Sequence, residues 1–594
     1  MEHIAGAARY SAGQMNTSQE HDSSPSQPKE LRLWPGVAAV SVQWLCWVAL
    51  PLAVPGPVTG FIAVIGGFGG GLAVVVWWAF LSRAPRPERW GFIALAAIAL
   101  FLASRLVDES IASGMMGMLL ALYAVPVASL AIVASAAGTR RLAARTRRTV
   151  MAAAILLSCG AWTLLRSDGI TGAGSAEFKW RWTKTAEERF LEAKDDEPDL
   201  RLAARPATSA RGGWSGFRGS HRDGAVRGVR IETDWNASPP TMLWRRPVGP
   251  GASSFAVGNG LVYTQEQVGE DEAVTCYALA TGELVWMHRE KARFWDSHVG
   301  PGPRATPTLG EDHVYALGAT GILSALDAAD GTVVWSRNAA SDTGTAVPDW
   351  GFAGSPLAVG DLVVVAVSGT LAAYDRATGE PRWFGPSGFG SYSSPHPLTI
   401  NGEAQVLLMS GSGLTSVAPQ DGSVLWDHAW PGGDRIVQPA AVREGGLLVG
   451  EGNGFSLRRI DVTRDAGKWS VAESWESRGL KPYFNDFVVH ERHAFGFDGS
   501  ILACIDIEDG SRKWKGGRYG HGQLLLLADQ DLLLVLSERG ELMTVAAAPD
   551  RFEEITRHPG IEGKTWNHPA LAGDILLARN SKEAAAFRLA LESE

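Results

Sequence analysis

"LAAYDRATGEPRW", residues 371–383, reads as a strand, a tight turn and a second strand ending on a large aromatic. The phrase recurs with variations. Aligned on its aromatic it gives Trp286 in "YALATGELVW", Trp335 in "LSALDAADGTVVW", Trp383 here, Trp426 in "TSVAPQDGSVLW" and Trp514 in "ACIDIEDGSRKW". Four positions before each aromatic stands Gly282, Gly331, Gly379, Gly422 or Gly510. A hairpin turn needs positive φ, which glycine adopts without strain, and the Thr or Asp before each glycine closes the turn onto its own backbone.

A second unit precedes each phrase: an Ala-Pro or Ser-Pro step, a short apolar strand, a turn and another strand, as in "ATPTLGEDHVYAL" and "GSPLAVGDLVVVAV". Pro307, Pro356, Pro395 and Pro439 are spaced 49, 39 and 44 residues apart. Four short strands per period of this length are the signature of a β-propeller blade. Blades cannot bury both faces alone, so the tryptophans are expected to wedge between neighbours. Inner strands beginning near Ser254, Thr306, Ser355, Ser394, Gln438, Asn485, Gln523 and Asn567 make eight blades, with the fifth and seventh degenerate. The last blade has three strands. Its fourth is expected to be "TMLWRRPV" (241–248), because Trp244 lies 42 residues before Trp286, in phase with the array. Closing the ring this way leaves no long unpaired edge.

The 594-residue chain divides by composition. Residues 1–165 hold 12 Lys/Arg against 7 Asp/Glu, and the remainder holds 42 against 56. An acidic soluble part argues against nucleic acid, whose phosphates demand a basic face. Cys46, Cys159, Cys276 and Cys504 are too scattered for a disulfide framework or a zinc site. Five apolar stretches, at 33–54, 57–81, 90–106, 113–137 and 149–165, approach the ~20 residues that cross a hydrocarbon core. Arg83, Arg86 and Arg89 lie between the second and third, and Arg140, Arg141, Arg145, Arg147 and Arg148 between the fourth and fifth. The positive-inside rule makes both loops cytoplasmic. Five spans then put the N-terminus inside and everything after residue 165 outside, in the periplasm or its equivalent. The run "GGFGGG" (66–71) has no Lys-Ser/Thr after it, so it reads as close helix packing, not a phosphate loop. No span carries an internal Asp, Glu, Lys or His, so no ion pathway is visible.

The resulting organisation is a polar cytoplasmic tail over 1–30, a five-helix membrane domain over 31–165, a juxtamembrane helix and linker over 166–210, and an eight-bladed propeller over 211–594. In the linker, Thr185 and Glu188 offer a capping box ahead of Phe190 and Leu191. The run "KDDEPD" lacks the pattern of a calcium loop, and the whole segment is expected to lift the propeller off the membrane.

These residues resemble the bacterial propeller family named for pyrroloquinoline quinone (PQQ), over about 210–590, and "WSGFRGSHRDG" (214–224) is similar to the leader before such propellers in membrane-anchored proteins. The family holds quinone-dependent dehydrogenases and non-enzymatic scaffolds such as outer-membrane assembly lipoproteins. The resemblance therefore implies either a binding scaffold or a dehydrogenase that uses PQQ with calcium and passes electrons to membrane quinone. An adjacent Cys-Cys pair, found in the alcohol dehydrogenase branch but not in the glucose branch, is missing here. No cluster matches the calcium ligands, and the propeller segment is shorter than in those enzymes.

The strand connections sort onto two faces. One collects tight turns such as "VGNG", "VGD" and "ATGE"; the other collects long connections including "NAASDTGTAVPDWGFAG", "GPSGFGSYS" and "GLKPYFND". Loops on a rigid scaffold are where binding is sought. Residues expected to converge there are Arg304, Tyr392, Gln438, Lys481, Asn485, Asp486, His521, Asn567 and His568, with Trp295, Trp350 and Trp566 as aromatic walls. In a functional reading Arg304 and Lys481 hold an anionic ligand, the tryptophans stack on it and Asp486 is a weak candidate base. In the alternative reading the inner-strand polar residues bond channel water and neighbouring backbone. Glu266, His490 and His493 are read as exposed turn residues. Hydrolase motifs are not found.

Overall fold

The computed structural model describes residues 31–54, 57–172, 174–195 and 213–592. The polar tail over 1–30 and the charged run "KDDEPD", except its first two residues, lie outside the described residues.

Eight antiparallel sheets of four ladder-paired strands follow one another around a ring. Blade one spans Ala256–Gly258 to Leu284–Glu290, and blade seven Gln523–Leu527 to Glu554–His558. Blade eight is Ala570–Ala572, Ile575–Arg579 and Glu583–Arg588, completed by Thr241–Pro247, in which Trp244 pairs with Ala586. The expected N-terminal closing strand is therefore present. Blade seven carries one addition, the parallel two-residue strand Ala225–Val226 against Leu526 and Leu527.

The repeated Gly-to-Trp phrase is one half of an inter-blade joint. Each glycine packs on the tryptophan of the preceding blade, not on its own. A Cβ on Gly379, whose φ is +73°, would lie 2.6 Å from the Trp335 ring, and Gly282, Gly331 and Gly422 stand in the same way against Trp244, Trp286 and Trp383. The indole N–H then crosses the joint: Trp244 donates to Leu279 O at 2.8 Å, Trp286 to Ala328 O at 3.1 Å, Trp335 to Arg376 O at 3.1 Å and Trp383 to Pro419 O at 2.9 Å. Burying an indole against a neighbouring sheet while satisfying its one donor explains why this residue recurs. Trp426 departs from the series, since its N–H goes to Gln405 Oε1 at 2.8 Å within its own blade. Blade five uses Trp475, which no turn phrase precedes; it donates to Ile507 O and packs against Gly510.

Among the described residues four helices, not five, are long and apolar enough to cross a membrane: Trp34–Ala53, Thr59–Leu81, Arg86–Leu106 and Leu119–Gly138. The fifth stretch forms Ala144–Gly160, 17 residues that begin with Arg145, Arg147 and Arg148 in the first turns. At 1.5 Å per residue this is about 26 Å, short of a ~30 Å core even before the arginines are discounted. Continued by the turn Ala161–Leu164, it nevertheless runs beside Arg86–Leu106 in the same direction and carries the chain from one end of the bundle to the other. At one end Arg147 and Arg148 clamp the buried Glu88 at 3.0 and 2.8 Å. At the other, Ser167 N–H donates to Ser110 Oγ at 2.9 Å. The arginine-rich segments and the propeller thus sit at opposite ends of the bundle, and Arg32, whose N–H reaches Ser82 O, lies at the arginine end.

The segment after the bundle does not lift the propeller away. Leu165–Ile170 and Ala176–Trp180 pair as a hairpin sandwiched between helix ends and blades. The capping box forms as expected, with Glu188 N–H on Thr185 Oγ1 at 3.0 Å and Thr185 N–H on the Glu188 carboxylate at 2.6 Å. Phe190, from the helix Ala186–Asp195, packs against Val268 and Ala273 of blade one.

Candidate functional site: the channel and its two ends

The inner strands begin on a belt of short polar side chains, each serving the next blade. Ser254 N–H donates to Thr306 Oγ1 (3.0 Å), Thr306 N–H to Ser355 Oγ (2.9 Å), Ser355 N–H to Ser394 Oγ (2.9 Å), Ser394 N–H to Gln438 Oε1 (3.2 Å) and Gln438 N–H to Asp486 Oδ1 (2.6 Å). Asn485 continues to Gly522 O at 3.0 Å, Gln523 to Trp566 O at 2.8 Å, and Asn567 returns to Ser253 O at 2.7 Å. Strand starts at a narrow axis lack ladder partners, so side chains supply them. Of the candidate residues, Gln438, Asn485, Asp486 and Asn567 belong to this belt.

The leader 214–224 fills the channel from the tight-turn side. Arg222, fully enclosed, gathers carbonyls from two blades: Ser355 O at 3.2 Å, Pro395 O at 3.1 Å and also Pro356 O. Burial pushes its guanidinium down to about 9. Arg218 donates to Phe487 O at 2.6 Å and stands 3.7 Å from Asp486, whose carboxyl is raised by burial although Arg218 and the Gln438 N–H oppose it. A carboxylate so enclosed balances Arg218 and organises Gln438. His568, stacked on Trp214, and His396 are also enclosed, and burial together with Arg218 (for His396, Arg222 too) drives both down to about 3. Both are neutral at ordinary pH.

The looped end is different. Trp350 and Tyr392 meet at 4.9 Å between ring centroids, and across the mouth Tyr483, Phe484, His521 and Trp566 form a second cluster, Phe484 lying 4.7 Å from Trp566. Burial raises the Tyr392 hydroxyl to about 12. The hairpin tip reaches this cluster. Gly172 N–H donates to Glu538 at 2.7 Å, Trp566 Nε1–H to the same oxygen at 2.9 Å, and His521 N–H to the other at 3.1 Å. Burial works against ionisation of Glu538, but the His521 imidazole and these N–H groups hold its carboxylate at about 2. Lys564 lies 4.1 Å over Trp566 and donates to His298 O and Ile170 O.

The structure does not bring the remaining candidates to the mouth as free groups. Arg304 is spent on Asp296 at 2.5 Å and on Gly302 O and Gly300 O at 2.7 Å. Lys481 pairs with Asp498 at 2.7 Å, beside Lys515 and Arg512. Trp295 pairs with Pro301 in a small hairpin. Glu266 is the opposite of an exposed turn residue: fully buried, it accepts from Gly249 N, Thr275 Oγ1 and Tyr277 Oη at 2.7–2.8 Å. The polar run "TQEQ" (264–267) concealed that every residue of the strand is buried. His490, only partly exposed, pairs with Asp531 at 2.6 Å, and His493 is half-buried.

PQQ carries three carboxylates and sits with a calcium ion, so it needs unpaired cations and several oxygen donors. Around this channel the arginines and Lys481 already hold internal acceptors, and among the described residues no three His, Cys, Asp or Glu side chains gather as a metal site. The residues present do not fit the group.

The family model described as outer membrane protein assembly factor BamB matches residues 235–396 and 270–516. BamB of Shewanella oneidensis is 26% identical over 310 residues, covering 46% of this chain and 70% of that protein. Among solved structures, BamB from Moraxella catarrhalis aligns with TM-score 0.44 and 15% identity over 60% of this chain and 99% of its own. The quinohemoprotein alcohol dehydrogenase of Comamonas testosteroni aligns with TM-score 0.48 and 13% identity, over 69% and 85%. The disc built by these eight blades is a β-propeller whose sequence is similar to the PQQ-like assembly factor BamB.

Proposed function

We propose that this chain is a membrane-anchored binding scaffold of the cytoplasmic membrane, with its N-terminus in the cytoplasm and its propeller in the periplasm or equivalent space, engaging a protein partner through the looped end of the channel. The observation that carries the reading is the contrast between the two ends. The tight-turn end is sealed by Arg218, Arg222 and Trp214, whereas the looped end offers partly exposed aromatic faces, Trp350 and Phe484 foremost, with Arg304 and Lys481 already paired. Exposed aromatic surfaces on a rigid frame suit recognition. The arginine-rich segments at the far end of the bundle support the orientation. Relationship to a protein named an assembly factor supports a protein partner.

The looped end also stands against the helix ends, so the partner that fits is one presented at the membrane. A photo-crosslinking residue at Trp350 is expected to yield a discrete protein adduct in native membranes, and one at Asp361, on the tight-turn face, none. Retention of PQQ with calcium, together with dye reduction by an alcohol or sugar, would instead make the protein an oxidoreductase.

A further inference from the structure

The looped face is held one hairpin away from the ends of the membrane helices. On one side of the hairpin, Ser167 N–H meets Ser110 Oγ at 2.9 Å and Ala176 N–H meets Tyr123 Oη at 3.2 Å. On its other side, Lys582 approaches Asp168 at 3.4 Å and Gly172 meets Glu538. Ser297, in the loop after blade one, reaches Ser113 O directly at 3.5 Å. A single packed layer is about 10 Å thick, comparable with the headgroup zone outside a ~30 Å hydrocarbon core.

The same level of the bundle is marked by exposed apolar side chains: Leu106, Met116 and Met118, and the Trp180–Trp182 pair stacked at 5.1 Å. Tryptophan at a membrane boundary is the usual interfacial anchor. Among the described residues the hairpin's contacts are with blades one, seven and eight. The loops of blades three to five overhang, and they carry Phe389 and Phe455, which are 59% and 57% exposed. These two are neighbours in space through Asp434: a Cβ on Gly390 would lie 3.2 Å from its carboxylate, and its carbonyl faces Asn453 Nδ2. Among the described residues each ring keeps more than half of its surface open.

We propose that the overhanging loops rest in the lipid interface through Phe389 and Phe455, so that the disc touches the bilayer at a second point opposite the hairpin. The proposal rests on the membrane-anchored reading and extends a contact the hairpin already makes. Asp434 lies beside Phe389, Asp349 is close to Asp434, and Glu451 pairs with the adjoining Arg435, so the surface suits a zwitterionic interface and gains nothing from anionic lipid.

The test uses the full chain in phosphatidylcholine nanodiscs, with single cysteines Phe389→Cys, Phe455→Cys and, on the opposite face, Asp361→Cys, each carrying an environment-sensitive fluorophore. Nitroxide lipids that quench near the headgroup are expected to quench positions 389 and 455 several-fold more than 361. Replacing a third of the lipid by phosphatidylglycerol is expected to leave that ratio unchanged or lower. Equal quenching at the three positions would overturn the proposal, as would protection of 389 and 455 that appears only in native membranes, which would make a protein their cover. Stronger quenching with phosphatidylglycerol would overturn the charge argument. Alkaline extraction of the same samples checks anchoring separately: a chain that stays with lipid but shows no differential quenching loses only this second contact.

Discussion

Glu538 of blade seven accepts the backbone N–H of Gly172, a residue of the membrane-proximal hairpin 366 positions earlier in the chain, at 2.7 Å. A Cβ on Gly172 would fall on the His521 ring, so glycine is required for the tip to reach the carboxylate. Removing Glu538 as Glu538→Ala orphans three N–H groups. It is expected to cost about 2–4 kcal/mol of propeller stability and to speed amide exchange at Gly172 more than ten-fold, as read by hydrogen exchange. Because the folded carboxylate is held at about 2, below its ordinary value of 4.5, its contribution is complete above pH 4.5 and is lost as pH falls toward 2.

The joint between Gly379 and Trp335 represents the blade-to-blade contact that the sequence repeats. Gly379→Ala combines a strained positive φ with a methyl 2.6 Å from an indole, and is expected to destabilise by about 2–4 kcal/mol. Trp335→Ala should cost about 3–5 kcal/mol. Denaturant titration followed by intrinsic fluorescence measures both. A Gly433→Ala control, where a Cβ meets nothing within 4 Å, should stay within about 0.5 kcal/mol.

Arg222 ties blades three and four to the leader by donating to carbonyls that have no strand partner at the axis. Arg222→Ala leaves those acceptors dry and a cavity beside them, for an expected loss of about 3–5 kcal/mol. Protease cleavage within 214–224 should appear at the same time, detected by mass spectrometry of native digests.

His396 and His568 supply a pH dependence whose sign is fixed by burial. Both are held at about 3 in the folded protein against an ordinary 6.5, so the unfolded chain binds protons that the folded chain does not. Stability should fall as pH drops from about 6.5 toward 3, with a combined slope approaching 2.7 kcal/mol per pH unit. His396 is faced by Arg218, Arg222 and Asp223, and His568 by Arg218. His568→Gln should remove about half of that slope in denaturant titrations at pH 4 to 7.

The propeller was legible because its physics is local and repeated. Each turn needs a positive-φ glycine and each joint an indole, so Gly282, Gly331, Gly379 and Gly422 announce themselves together with their tryptophans, and even Trp244 is in phase. Trp475 escaped because blade five lacks the turn phrase that sets the register. Arg218 and Arg222 gave no signal as channel fillers, since what they bind is backbone from blades more than a hundred residues away. The same holds for Glu538, whose role is defined by a hairpin near the membrane. The helix count failed at Ala144–Gly160, where arginines that signal orientation also shorten the apolar run.

The most direct measurement of the arrangement is thiol accessibility in intact cells, with the native cysteines replaced and single cysteines placed at Asp361, on the tight-turn face, and at Arg141, beyond Leu119–Gly138. A membrane-impermeant maleimide is expected to label position 361 before permeabilisation and position 141 only after it. Labelling of both together, or of 141 first, would contradict a propeller held on the side of the membrane opposite the arginines.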